Sequence, residues 1–571
     1  MYTLSSKLRL TAIIFMIVGA IGLIYGFIAA PETVEEVKEM MASHGEHGEE
    51  HAAGDTEKVN IEQLPGGNNA ELHSEEQDHT NSDSSESSGE ANSDTTDAFG
   101  ERNYSASDAL EEEGNSSNFE EDTIATAGLS ARNMSEDEQE HGTAPAHNNA
   151  DSASEGNSSG TGTHAHGDET HEDHEYSAGM SQDKVQEHGE GHGEAHGEEA
   201  GHGDEHYEHI LQQLQNKPWA ALYVAAFFFF MISLGVLAFY AIQYAAQAGW
   251  SPVLYRVMEA ITAYLLPGGI IVFVLLVLSS FQLNHLFIWM DPDVVAHDEI
   301  IQDKTAYLNV PFFLIRALIY LGGWCFFRYL LIKNSRRLDE ADDLYYFKKN
   351  FKLAAGFLVF FIVTESMMSW DWIMSLDPHW FSTLFGWFIF ASLFVSGITT
   401  IAIISIYLKS RGYLEFVNNS HIHDLAKFMF GISIFWTYLW FSQFMLIWYS
   451  NIPEEVVYFI QRMEDYQIPF FGMLATNFLL PVLLLMNSDY KRVNWFVIMT
   501  GIIILFGHYI NIYVLVMPAT VGESWFIGIP EISALLFFAG LFIFIVFSAL
   551  TKAPLLVSRN PYITESKHYH Y

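Results

Sequence analysis

The sequence predicts an all-α integral membrane protein, with ten transmembrane helices and one long acidic insertion. Three observations lead there. The 571 residues carry 70 Asp and Glu against 27 Lys and Arg, a formal charge of −43, yet 49% are apolar and 15% aromatic. The charge is confined: residues 31–216 hold 47 acids and 5 bases, net −42, while the other 385 residues hold 23 acids and 22 bases. Outside that stretch, ten apolar runs each reach the roughly 20 residues that cross a bilayer.

The runs lie near 10–30, 218–247, 257–281, 307–332, 351–376, 380–408, 423–449, 466–487, 493–517 and 526–549. This divides the chain into a first helix (1–30), the insertion (31–216), helices two to four (217–350), helices five to ten (351–550) and a C-terminal tail (551–571). The first run has bases ahead of it and Ala29-Ala30 behind it, as a signal peptide would. Its length favours a retained anchor. Alternate loops carry the bases. Lys7, Arg9, Arg256, Lys333, Arg336, Arg337, Lys348, Lys349, Lys352, Lys409, Arg411, Lys427, Lys491, Arg492, Lys552, Arg559 and Lys567 fall on one side. The opposite short loops hold only Lys304 and Arg462. The bias predicts both termini in the cytoplasm and the insertion in the periplasm of a bacterial inner membrane.

The insertion is Ser, Gly, Asn, Glu and His with few large apolar residues. Such a chain buries too little surface to offset its ordering entropy, so disorder is predicted. It holds 17 of the 25 His and ends in the near-repeat 188–198, a composition open to weak metal binding or to a solvated spacer.

The composition excludes several classes. A near-neutral apolar chain with no basic face excludes nucleic acid as partner, and a soluble enzyme of two or three domains. A single cysteine, Cys325, excludes an internal disulfide, a Cys-ligated zinc site and a protein-held iron–sulfur cluster. No Cys-x-x-Cys-His is present, so no haem c is bound covalently.

Ionisable residues inside apolar helices are costly and point to function. The fifth helix has most of them, reading Thr364-Glu365-Ser366-Met367-Met368-Ser369-Trp370-Asp371 and ending at Asp377-Pro378-His379. At 1.5 Å per residue Asp371 lies about 9 Å and Glu365 about 18 Å below Asp377. Arg316 enters the fourth helix at intermediate depth and is the partner the spacing offers. Proton relay and structural ion pair remain equally open. The third helix ends in a parallel way, with His285 six residues before Asp291-Pro292. A His beside a carboxylate suits proton exchange with a quinol hydroxyl, so His285 and Asp291 are the quinone-binding candidates; ordinary capping is the alternative. His508 lies deep in the ninth helix, and a haem would need a second His at its depth. The cluster His421, His423, Asp424 and Lys427 reads as a solvated helix start.

Two stretches resemble a known family. Trp372-Ile373-Met374-Ser375-Leu376-Asp377-Pro378-His379-Trp380-Phe381-Ser382-Thr383 and Asn284-His285-Leu286-Phe287-Ile288-Trp289-Met290-Asp291-Pro292 are similar to the membrane subunits of alternative complex III, a quinol:cytochrome c oxidoreductase. Those subunits are of the polysulfide-reductase membrane-subunit (NrfD-type) family, and the chain looks most like the second quinone-binding-type subunit. The resemblance implies two pseudosymmetric four-helix bundles, helices two to five and six to nine, plus two peripheral helices. It implies partners: an iron–sulfur protein, a multihaem c-type cytochrome and a sister ten-helix membrane subunit, with the haem c and iron–sulfur clusters in those partners. It leaves a bound quinone, menaquinone or ubiquinone, open in this subunit. By position, Asp291, Asp377 and His379 match the family motif. The proton-path candidates are then Glu365, Asp371, Arg316, His508, Asp377 and His379. The reading is a respiratory subunit that scaffolds the complex and conducts protons. A secondary transporter, of a divalent metal for example, is the rival.

Overall fold

The structure is a computed structural model that describes residues 2–41, 199–523 and 526–570. Residues 42–198 of the insertion, with its His-rich repeat, lie outside the described residues. The described regular elements are all helical.

Among the described residues, ten helices are long and apolar enough to cross a membrane. We number them α1 (Ser6–Ile28), α2 (Tyr207–Ala245), α3 (Pro252–Ser280), α4 (Val310–Leu338), α5 (Tyr345–Leu376), α6 (Phe385–Ser410), α7 (Asn419–Ser450), α8 (Gln467–Leu485), α9 (Asn494–Val521) and α10 (Ile529–Leu550). The ten runs read from the sequence are thus all helices. Their ends move, because amphipathic turns extend several beyond the apolar core. The helix of α2 starts as early as Glu199, so the last turns of the acidic segment are helical.

Neighbouring helices touch in two closed rings, α2–α3–α4–α5 and α6–α7–α8–α9. Helix α2 lies at the junction, against α5, α6, α9 and α10. It is buried all round, which explains why its run from Ala220 to Tyr240 is apolar on every face. The α2–α6 crossing is glycine on glycine. A Cβ at Gly235 would sit 2.0 Å from the Leu393 carbonyl oxygen, and one at Gly397 2.8 Å from the Val236 nitrogen. Small residues allow such approach where no hydrophobic effect drives helices together. Helix α1 lies outside the rings along α10. There a Cβ at Gly540 would fall 2.6 Å from the Ala12 carbonyl.

The C-terminal segment is docked rather than free. Ser566 Oγ donates to the Trp250 carbonyl at 2.7 Å, Tyr562 to Gln247 at 2.7 Å, Arg559 meets Asp342 at 2.5 Å, and Tyr569 donates to Asp424 at 2.5 Å. It therefore straps the α2–α3, α4–α5 and α6–α7 connections on the face that carries the termini. His421 and His423, expected at a solvated helix start, are both fully buried, His421 against this segment. His421 completes a capping box with Asn418, and its Nε2 lies 3.0 Å from the Ser566 carbonyl.

Candidate functional site: buried polar groups in two helix rings

In the first ring the charged pair is Arg316 with Asp371. Arg316 Nε and Nη2 each lie 2.8 Å from a different Asp371 oxygen. Tyr320, one turn along α4, donates to Oδ2 at 3.0 Å. The remaining guanidinium nitrogen Nη1 donates to the Tyr307 carbonyl at 3.0 Å. The rings of Tyr307 and Phe312 lie 3.9 and 4.3 Å from the guanidinium carbon. Both side chains are almost wholly buried, 3% and 0% exposed. A bidentate fork, with each guanidinium nitrogen and both carboxylate oxygens bonded, is what makes a buried pair tolerable. An aromatic wall of Phe230, Tyr320, Trp324 and Trp372 closes over it.

Glu365 does not join this pair. It is buried, and its Oε1 has no hydrogen-bond partner. Of its α5 neighbours, Thr364 turns to α4, where Trp324 Nε1 donates to it at 2.9 Å. Phe361 meets Phe390 of α6, and Ser366 lies against Gly386 of α6. Glu365 therefore occupies the stripe of α5 that faces the junction of the two rings. Six residues separate it from Asp371, a rise of about 9 Å.

The second ring also has a polar interior. His508 on α9 is fully buried, with neither ring nitrogen bonded, and lies edge-on to Trp436 at 5.5 Å. One turn on, Asn511 donates to Ser392 of α6 at 3.2 Å, while its oxygen is unbonded. Helix α8 widens into a π-turn over Ala475–Leu479, a feature common at functional sites. Asn477 in that turn is buried with both amide atoms unbonded. A Cβ at Gly507 would be 2.2 Å from Asn477 Oδ1, so the glycine before His508 is what lets α8 approach. Beyond Asn511, a cavity of about 20 Å³ is bordered by Gln443, Tyr458 and Arg462. That is room for one water.

The opposite face, where α5 ends, joins the rings. Regular helix stops at Trp372, and a 3₁₀ turn leads to Asp377. His379 Nε2 lies 2.5 Å from Asp298 Oδ2, and Lys304 donates to the Pro378 carbonyl. Trp380 stacks on Tyr458 at 3.8 Å, and Arg462 covers Tyr458 at 3.3 Å. The only two bases that the sequence puts in these short loops, Lys304 and Arg462, thus hold the α5–α6 turn from either side. Burial would raise the Asp298 pKa, but the Ile301 amide and His379 outweigh it and hold the carboxyl below its ordinary value. Burial pulls Lys304 below its usual value, against Asp377 and Asp298.

His285 and Asp291 lie elsewhere. Helix α3 ends at Ser280, and His285 follows in an exposed loop pinned by Asn216, which bonds its backbone at 3.0 and 2.9 Å. Asp291 accepts from the Asp293 amide at 3.0 Å and caps the short helix Pro292–His297. The His285 side chain is thus exposed, while Asp291 is engaged in its own cap.

One buried network has no counterpart in the sequence reading. Arg256 meets Glu259 at 2.6 Å and also contacts Asp339. Ser335, Tyr240 and Arg336 bond the same Glu259 at 2.5, 3.0 and 3.3 Å. The signal was the pair Arg256-x-x-Glu259 one helical turn apart beside an apolar run. Among the described residues no group of three or more His, Cys, Asp and Glu is placed to hold a metal ion.

Compared with protein-family models and with curated proteins, the chain matches none.

Proposed function

We propose that the chain is a membrane subunit of a respiratory quinol:cytochrome c oxidoreductase of the alternative complex III type, resembling the NrfD-type subunits. In this reading the two rings are the pseudosymmetric bundles of that family, and α1 and α10 are its peripheral helices. The bases-on-one-side pattern puts the termini in the cytoplasm and the α5–α6 turn on the periplasmic side of the inner membrane. The subunit binds no redox centre of its own. It scaffolds iron–sulfur, multihaem c-type and sister membrane subunits and carries protons.

The observation that supports proton carriage is Glu365. A carboxyl buried among apolar helices with an unbonded oxygen is costly, and such residues are retained for function. Asp371 has its lone pairs committed to Arg316 and Tyr320, so it acts as a fixed charge that orients the ring. Glu365 takes up and releases the proton, and His508 with Asn511 continues a path toward Arg462 in the second ring. Asp377 and His379 form its mouth. Quinol oxidation falls to the sister subunit, as the family resemblance implies. The test is the proton-to-electron ratio of the reconstituted complex with Glu365→Gln. A lowered ratio with quinol oxidation retained supports the reading; an unchanged ratio removes the relay from it.

A further inference from the structure

An apolar cleft of about 510 Å³ lies between α1, α2, α6, α9 and α10. Phe229, Ile404, Leu505 and Ile543 line it, and its wall toward the terminal face is Tyr407 with Phe547, whose rings meet edge-on at 5.5 Å. Tyr407 also lines a second space of about 390 Å³, which is polar and lies at the terminal face. Tyr2, Ser5, Ser410, Arg411 and Tyr413 surround that space, with no Asp or Glu among its lining residues. One side chain thus joins a hydrocarbon slot to a polar mouth.

The mouth is electropositive. Arg411 is exposed and makes no ion pair with any described residue; its guanidinium carbon lies 5.9 Å from the Tyr407 ring centroid. The hydroxyl of Tyr2 is buried and bonds no side chain, with the Ser5 backbone beside it. Burial, together with the phenols of Tyr407 and Tyr413, pushes Tyr2 up to about 12, so it remains a donor at neutral pH. Ser5 caps the 23-residue helix α1 without using its side chain on the first turn, whose amides face this end. An arginine fork, the hydroxyls of Tyr2 and Ser5 and the helix amides offer donors with no carboxylate among them, the complement of a phosphate.

From this junction we infer that the chain binds an anionic phospholipid. Its phosphate sits at Arg411, Tyr2 and Ser5, and one acyl chain fills the cleft between α10 and α6. The lipid wedges α1 and α10 against the rings. A quinone tail would suit the slot, but a neutral quinone headgroup makes no use of Arg411.

The experiment uses the full chain purified in mild detergent, delipidated and titrated with phosphatidylglycerol or phosphatidylcholine of identical acyl chains, read by native mass spectrometry. The expected result is about a tenfold preference for phosphatidylglycerol, the worth of one charge-assisted contact. Arg411→Gln removes that preference, and Ile543→Trp, which fills the cleft, weakens both lipids. Because Arg411 is exposed, its variant keeps the fold; a monodisperse elution profile checks this. Equal binding of the two lipids by the unaltered chain, an undiminished preference in Arg411→Gln, or retention of quinone in place of phospholipid overturns the proposal.

Discussion

Arg316 and Asp371 face each other across α4 and α5 through two parallel contacts of 2.8 Å, with Tyr320 completing the carboxylate at 3.0 Å. A pair this enclosed acts as a unit. Asp371→Asn leaves an uncompensated guanidinium in the ring, a loss of about 3–5 kcal/mol. The double variant Arg316→Met/Asp371→Leu should recover most of it. Thermal unfolding in detergent measures both. A single variant as stable as the parent would show that the pair is not closed.

Glu365 should behave in the opposite way. Its Oε1 has no hydrogen-bond partner, so Glu365→Gln removes a buried carboxyl without breaking an ion pair. The expected change is little or no loss of thermal stability, within about 0.5 kcal/mol or a gain, and a lowered proton-to-electron ratio. Unfolding curves and proton pumping on the same preparation separate these effects.

Gly507 is placed by space rather than by chemistry. Gly507→Ala drives a methyl group toward Asn477 Oδ1, at 2.2 Å before relaxation, and should cost about 1–3 kcal/mol. Shortening the neighbour in Gly507→Ala/Asn477→Ala should return part of that loss. If the two changes simply add, α8 does not touch α9 as described.

The α5–α6 turn should loosen in acid. The Asp298 carboxyl is held below its ordinary value in the folded state, by the Ile301 amide and His379 against burial. A depressed carboxyl contributes stability above its unfolded value, near 3.9, and loses it as pH falls through the folded value. Hydrogen-exchange protection at residues 298–301 and 377–380, corrected for the intrinsic pH dependence of amide exchange, should therefore be flat from pH 7 to about 5 and fall below about 4. Asp298→Asn should abolish that pH step.

Periodicity and apolar run length made the ten helices legible, because bilayer thickness fixes their scale. The mutual position of Arg316 and Asp371 was half legible: depth suggested a partner, but whether Arg316 served Asp371 or Glu365 depended on helix rotation. The third helix ends at Ser280, within a residue of its apolar run, and Gln282, with φ of 56°, marks the exit; the path of the chain beyond it, pinned by Asn216 from α2, depends on a contact that no local pattern encodes. The Glu259 network was hidden because Arg256 and Arg336 look like ordinary loop bases until α3 and α4 are set side by side. The buried state of His421 depended on a tail more than 140 residues away, which no local pattern encodes.

The most direct test of the central claim is purification of the full-length chain from its native membrane in mild detergent, with mass-spectrometric identification of what accompanies it. The expected result is a stoichiometric complex with multihaem c-type and iron–sulfur subunits that oxidises quinol with cytochrome c as acceptor. Recovery of the chain as a stable monomer without haem-bearing companions would contradict the account.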